Sequence, residues 1–219
     1  MNINLEEKEI IIVALGDSIT NGVQSDGSVK EEDTFRYLLQ QSLIQSTGQK
    51  IKVINAGVNA DISTLALNRL ERDVLRYKPD YVTIMFGVND AGFFRPDGPV
   101  ADTPRVSKEE FKASLLKMID GISKVGAQPV LVTPVPMSPS YHLADYPPYV
   151  KHGLNYLVDE YSDIIRELAK KLNLPLIDVH RKFSENPNTQ KFVPDGIHPD
   201  KRGHRLIAEI YFEVLNKLL

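Results

Sequence analysis

Four places in this 219-residue sequence carry the residue types that nucleophilic catalysis needs. Ser18 lies in Gly16-Asp17-Ser18-Ile19-Thr20-Asn21-Gly22, directly after the apolar run 10–15. Gly57 follows the run 51–56, and Asn89 follows the run 81–86. Asp195 and His198 stand together in Asp195-Gly196-Ile197-His198-Pro199. A serine hydroxyl is a poor nucleophile unless a base takes its proton. His198 is the candidate base. Asp195, with a glycine between the two, is placed to fold back on the imidazole, fix its tautomer and stabilise its charged form. Gly57 offers a backbone N–H and Asn89 a side-chain amide, the donor types of an oxyanion hole. Each also has an ordinary reading: Asp17 and Ser18 as a helix cap, Gly57 as a positive-φ position, Asn89-Asp90 and Asp195-Gly196 as turns, and His198 as a surface histidine. Their combination in one chain order is much rarer than any one of them.

Such residues need elements to bring them together. Runs 10–15, 51–56, 81–86, 129–133 and 174–179 read as short buried strands. Helical spacing predicts a helix carrying Phe35, Leu38, Leu39 and Leu43, ended by Thr47-Gly48, and a second over 63–77 with Leu67, Leu70, Val74 and Leu75 on one face. Ser107-Lys108-Glu109-Glu110 reads as a capping box opening a helix with Phe111, Leu115, Ile119 and Ile122. Two more helices are predicted at about 151–172 and from about Asp200 to the end, the last with Ile207, Ile210, Tyr211, Val214 and Leu218 inward. Strands alternating with helices argue for a parallel sheet covered on both faces. Ligands of such sheets bind beyond the carboxyl ends of the strands, so Ser18, Gly57 and Asn89 should share one edge.

Composition narrows the classes. A hydrophobic fraction of 42% and a charged fraction of 25% suit a soluble globular protein, read as one domain over 1–219. A net charge of -3 leaves no basic footprint, so no nucleic-acid partner is expected. The absence of cysteine excludes disulfides, thiolate metal sites and a cysteine nucleophile. Five histidines without close ligand spacing give no sign of zinc. Residues 1–8 have no basic start and no long apolar stretch, unlike a signal peptide. No stretch reaches the ~20 apolar residues of a membrane helix. The sequence therefore reads as cytoplasmic and not membrane-inserted, a removed leader aside. It does not decide the oligomeric state.

The ordered blocks Gly16-Asp17-Ser18, Asn55-Ala56-Gly57, Gly87-Val88-Asn89-Asp90 and Asp195-Gly196-Ile197-His198-Pro199 resemble those of the SGNH hydrolase, or GDSL esterase/lipase, family, over nearly the whole chain. The resemblance implies a flavodoxin-like three-layer α/β/α domain with five parallel strands and no metal or organic cofactor. It implies a serine carboxylic-ester hydrolase with Ser18 as nucleophile, His198 as base, Asp195 orienting the histidine, and the Ser18 N–H, Gly57 and Asn89 as oxyanion hole. One departure stands out: many members carry a second glycine soon after the block-two glycine, where this chain has Val58-Asn59-Ala60-Asp61. Within the family the substrate is open among carbohydrate acetylesterases, lysophospholipases, thioesterases and arylesterases. A non-enzymatic flavin- or nucleotide-binding domain is the rival reading, but the Ser18 loop lacks a P-loop lysine and a dinucleotide fingerprint.

Other residues compete for roles. Asp17 reads as stabilising the turn and is a candidate substrate contact. Asp178 and His180 follow the fifth strand and stand at the same edge, and His204 is expected to be exposed. The loops after the third and fourth strands should overhang the nucleophile. They carry Phe93, Phe94 and Arg95, and Tyr141, His142, Tyr146 and Tyr149 among prolines. Phe93, Phe94, Tyr141 and Tyr146 join Asp17 as candidate substrate contacts. Rings with polar handles suit a partly apolar, wet ligand, and neither loop supplies a continuous apolar lining for a long chain. The expected substrate is a small-molecule ester of a short acyl group, acetyl foremost, with carbohydrate as the candidate alcohol.

Overall fold

The computed structural model describes residues 8–219; the signal-peptide reading of residues 1–8 lies, Lys8 apart, outside the described residues. In chain order the elements are β1 (Ile10–Gly16), α1 (Ser18–Asn21), α2 (Phe35–Thr47), β2 (Ile51–Gly57), α3 (Ser63–Asn68), α4 (Leu70–Asp73) and β3 (Tyr81–Met85). Then come α5 (Lys108–Lys124), β4 (Gln128–Val132), α6 (Pro147–His152), α7 (Tyr156–Leu172), β5 (Leu176–Ile177), α8 (Val179–Ser184), α9 (Thr189–Phe192) and α10 (Lys201–Leu215). The five strands pair in parallel in the order β2-β1-β3-β4-β5.

The central strands are continuous apolar runs because helices cover both of their faces. Ile12, Val13 and Leu15 of β1 and Val130, Leu131 and Val132 of β4 are fully buried. The edge strand β2 instead leaves Lys52 and Asn55 exposed. On one face α2 packs against α10, with the Phe35 and Tyr211 rings 4.8 Å apart. The other face carries α3, α5 and α7, where Phe111 meets Tyr161 at 4.9 Å. The capping box is present: Ser107 and Glu110 each bond the other's backbone at the start of α5. Strand order reverses between β1 and β3, which opens a crevice beyond their carboxyl ends. Among the described residues no helix is long and apolar enough to cross a membrane.

Several elements differ from the sequence reading. The stretch 63–77 is not one helix. It breaks at Arg69 and again at Val74 into α3, α4 and a short 3-10 turn, because the Arg69 side chain is drawn inward to the ends of β1 and β2. The helix expected from 151 is interrupted at Gly153, whose φ is +97, and resumes at Tyr156. The fifth strand shrinks to Leu176–Ile177, since Asp178 leaves the sheet to cap α8 through the Arg181 N–H.

His204, expected at the surface, is fully buried. It stacks on Phe35 at 6.1 Å, and its Nε2 lies 3.4 Å from the Val23 carbonyl oxygen. It sits on the inward stripe of α10 with Ile207, Ala208 and Tyr211, the spacing of a buried helical face.

Burial pushes the His204 pKa down to about 4 from an ordinary 6.5. Below the ordinary value the unfolded chain takes up a proton that the folded chain takes up only near the lower one. Stability from this group is therefore lost as pH falls through that window, by as much as ~3 kcal/mol. Denaturant unfolding of wild type and His204→Leu, at neutral pH and at about pH 4.5, checks this. The advantage of wild type over the variant should shrink on acidification by ~2 kcal/mol or more; a pH-independent difference would contradict it.

Candidate active site

The nucleophile turn is built by two glycines and two arginines. β1 ends at Gly16 and β2 at Gly57, which face each other in register. A Cβ on Gly16 would sit 2.1 Å from Thr20 Oγ1, and one on Gly57 would sit 2.3 Å from the Asn21 backbone nitrogen. Both glycines are thus required for α1 to lie against the strand ends. Asp17 caps α1 by accepting the Ile19 N–H at 2.9 Å, which puts Ser18 at its first position. Buried Arg36 donates to the Thr20 carbonyl at 2.7 Å and the Asn21 carbonyl at 3.3 Å, and pairs with both Glu31 oxygens at 3.0 Å. Arg69 donates to the Gly16 carbonyl at 3.0 Å and the Ala56 carbonyl at 2.8 Å.

The second half of the site comes from the far end of the chain. Asp195 Oδ1 accepts the N–H groups of Ile197 and His198 at 2.9 and 2.7 Å, while Oδ2 lies 2.8 Å from His198 Nδ1. His198 Nε2 stands 3.0 Å from Ser18 Oγ. Burial opposes ionisation of Asp195, but these donors outweigh it and hold its carboxyl below the ordinary carboxylate range. The imidazole therefore faces a carboxylate on one side and a hydroxyl on the other, the arrangement that lets a serine lose its proton to histidine.

Ser18, Asn89, Asp195 and His198 line one cavity of about 480 Å³, together with Val23, Asn59, Ala60, Val88, Gly92, Phe94, Arg105, Tyr141, His142 and Ile197. Asn89 Nδ2 donates to the Asp61 carbonyl at 3.1 Å and lies 3.4 Å from Asp17 Oδ2. Asp17 and Asp90 are buried beneath. Burial pushes them up to about 7 and about 6, against the pull of the Ile19 and Ser63 N–H groups respectively.

Not every expected residue reaches the wall. Gly57 is not part of it, and its N–H is engaged by Asn55 Oδ1 at 2.8 Å. The loop that follows presents Asn59 and Ala60 instead. Of the expected substrate contacts, Phe94 and Tyr141 line the cavity and Asp17, Phe93 and Tyr146 do not. Asp17 lies under the floor. Phe93 turns into Tyr146 and Tyr149, with rings 5.4 and 5.2 Å away. The Tyr146 hydroxyl donates to the Ala101 carbonyl at 3.2 Å. Asp178 and His180 are also elsewhere: Asp178 pairs with Arg166 at 2.9 Å and accepts the Thr133 hydroxyl at 3.0 Å, and His180 Nε2 lies 2.9 Å from Asp159 Oδ1. Ala60 and Arg105 escaped the sequence reading. The missing second glycine marked the position of the first, and nothing local marked the second.

The model of the GDSL-like lipase/acylhydrolase family matches residues 14–206. The chain is similar to an uncharacterized lipoprotein, YqeF, of Bacillus subtilis (strain 168), at 30% identity over 90% of this chain and 86% of that one. It is 26% identical to an acetylxylan esterase of Geobacillus stearothermophilus, over 96% of this chain and 94% of that one. Among solved structures, a lipase/acylhydrolase from Enterococcus faecalis matches with a TM-score of 0.76 at 29% identity, covering 96% of this chain and 97% of that one.

The histidine loop is locked to the Tyr141 loop at one glycine. Gly196 has a φ of +98, and a Cβ there would lie 2.1 Å from Tyr141 Cα, a backbone atom that cannot swing aside. Gly27 has a φ of +78 and open space around it. Gly27→Ala should cost ~1 kcal/mol and leave turnover unchanged. Gly196→Ala should cost ~2–4 kcal/mol and lower kcat, because it displaces His198. Thermal unfolding and p-nitrophenyl acetate turnover of the two variants check this; equal effects would show that the packing at Tyr141 does not set the histidine loop.

Proposed function

Because this chain belongs to the GDSL-like lipase/acylhydrolase family and is a serine esterase, we propose that it removes short acyl groups, acetyl foremost, from acylated carbohydrates. The observation that carries the catalytic assignment is the hydrogen-bonded chain Ser18–His198–Asp195 opening into the cavity. Ser18 Oγ attacks the ester carbonyl carbon as His198 Nε2 takes its proton. Asp195 holds the imidazole with Nε2 toward the serine and balances its charge. The tetrahedral intermediate collapses as His198 returns the proton to the leaving alcohol oxygen. Water, deprotonated by the same histidine, then releases the acid from Ser18.

The oxyanion needs donors that are aimed at it and not engaged elsewhere. Asn89 Nδ2 is the side-chain candidate: its two hydrogens face the Asp61 carbonyl at 3.1 Å and, more loosely, Asp17 Oδ2 at 3.4 Å, and the longer contact is the one an oxyanion would replace. The N–H of Ser18 makes no hydrogen bond among the described residues, and neither does that of Ala60. The third donor is assigned to Ala60, not to Gly57, whose N–H already serves Asn55.

The acyl preference is supported by the cavity walls. Val23, Val88 and Ile197 supply apolar surface, while Asn59, Arg105 and His142 interrupt it. The Phe94 and Tyr141 rings offer faces to a sugar. The relative described as an acetylxylan esterase, similar over almost the full length of both chains, supports the same substrate class.

Ser18→Ala should lower kcat for p-nitrophenyl acetate by ~10⁴-fold or more, and Asn89→Ala by ~10²–10³-fold. The ratio kcat/KM should fall from acetyl to decanoyl esters, and acetylated xylo-oligosaccharides should be deacetylated. A Ser18→Ala protein as active as wild type would overturn the mechanism. A steady rise toward decanoyl would replace the carbohydrate reading by a lipid-directed one.

A further inference from the structure

We propose that Arg105 is a positioning residue for the oxyanion hole, its guanidinium holding the Ala60 carbonyl so that the Ala60 N–H stays turned toward the cavity; this rests on the reading of Ala60 as an oxyanion donor. Ala60 has a φ of +59. For a residue with a Cβ this left-handed conformation is uncommon and strained, so it persists only where the surroundings fix it. The surroundings here act on one peptide plane. The Asp61 N–H donates to the Val58 carbonyl at 3.2 Å, and the Ala60 carbonyl accepts from Arg105 Nη1 at 2.9 Å. With the 60–61 peptide held at both its N–H and its C=O, ψ at Ala60 is fixed, and the preceding N–H is left without an internal acceptor.

Arg105 is itself well anchored for this task. Its N–H donates to the Gly92 carbonyl at 3.0 Å, and the next N–H, of Val106, to the Asp90 carbonyl at 3.1 Å. Buried Val106 then receives the Tyr161 hydroxyl on its carbonyl. A backbone pinned on both sides sends the side chain from the loop between β3 and α5 to the loop after β2. The charged groups that face it are the acids Asp90, Asp61 and Asp17 and the cation Arg95. Burial, with Arg95, outweighs the pull of these acids and holds the guanidinium's pKa below its ordinary value. The bond to Ala60 is its one hydrogen bond to the described residues, so the link between the two loops runs through that carbonyl.

A positioning role predicts a defect in kcat that does not depend on the alcohol part of the substrate. Arg105→Ala should lower kcat by ~10–100-fold on p-nitrophenyl acetate and on an acetylated xylo-oligosaccharide alike, with KM within about twofold of wild type. Its affinity for methylboronate, a mimic of the tetrahedral oxyanion, should fall by a similar factor. Added guanidinium ion should restore part of kcat, and Arg105→Lys should retain more activity than Arg105→Ala. Should Arg105→Ala lose structure, seen in its unfolding temperature, Arg105→Lys and Arg105→Met carry the same comparison. A rise in KM confined to the sugar substrate would overturn the proposal in favour of direct substrate contact. So would an Arg105→Ala protein that binds methylboronate as wild type does while Asn89→Ala does not. Failure of the underlying esterase reading is distinct, because wild type itself would then be inert and would not bind the boronate.

Discussion

Much of this active edge hangs on one buried guanidinium. Arg69 gathers the Gly16 carbonyl, the Ala56 carbonyl and Asp61 Oδ2 within 3.0 Å, tying the ends of β1 and β2 to the loop that follows β2. Breaking a buried, hydrogen-bonded ion pair by removing one partner typically costs ~3–5 kcal/mol, so the arrangement is a strong constraint. It fixes where β1 stops and hence where Ser18 begins its turn. It also fixes Asp61, whose carbonyl receives Asn89 and whose N–H closes the turn that carries Ala60. The same demand breaks the helix that the apolar spacing of 63–77 would otherwise have continued: the Arg69 side chain has to reach back to the strand ends, and the backbone leaves helical geometry there.

The electrostatics beneath the cavity follow from the same crowding. Burial pushes Asp17, Asp61 and Asp90 all upward, and the charges of Asp90 and Asp61 raise Asp17 further. Asp61 is compensated by Arg69. Asp17 has one N–H on Oδ1 and the Asn89 amide at a longer distance on Oδ2. A carboxylate beneath an oxyanion hole opposes the negative charge that develops there, whereas a neutral carboxyl in the same place does not. Raised carboxyls and the nearby Arg105 both limit the negative potential at the point where the proposed oxyanion forms.

The parts of the site that were legible in the sequence are those set by local chain geometry. Asp195 and His198 are close in sequence, and the carboxylate bonds the histidine's own backbone N–H, so a short loop suffices. Ser18 and Asn89 follow apolar strands whose direction and burial are dictated by covered sheet faces. At Gly57 the need for space that a glycine after a strand signals is met by α1, which lies directly against it. The missing second glycine marked the place of Ala60, but its link to Arg105 was not legible, because it is a contact between two loops 45 positions apart that no periodicity encodes. His204 was legible and misread. Its spacing from Ile207 and Tyr211 places it on the buried stripe, whereas the expectation of exposure weighs its polarity and its place near a helix start above that spacing. The short β5 depends on Asp178 choosing a helix cap over the sheet, a tertiary choice that involves Arg166 and Thr133.

The aromatic loops divide into two roles, and the division explains why the cavity is preformed. Phe93, Tyr146 and Tyr149 pack on one another and hold the loops to the domain. Phe94 and Tyr141 project from the same loops into the cavity. Tyr141 cannot move independently of the histidine loop. Its backbone lies against Gly196, the Ser138 N–H donates to the Gly196 carbonyl at 2.9 Å, and the Ser138 hydroxyl donates to the Val193 carbonyl at 2.6 Å. The segment before it is clamped again, with the Asn155 side chain bonding both the N–H and the carbonyl of Met137 at 2.8 and 2.9 Å. A loop tied this way is a wall, not a lid. Tyr141 and His198 then share one rigid unit, so a molecule seated against Tyr141 meets His198 already oriented toward Ser18. Orientation of this kind is set before binding and needs no closure step, which is how a small cavity gains rate from geometry alone.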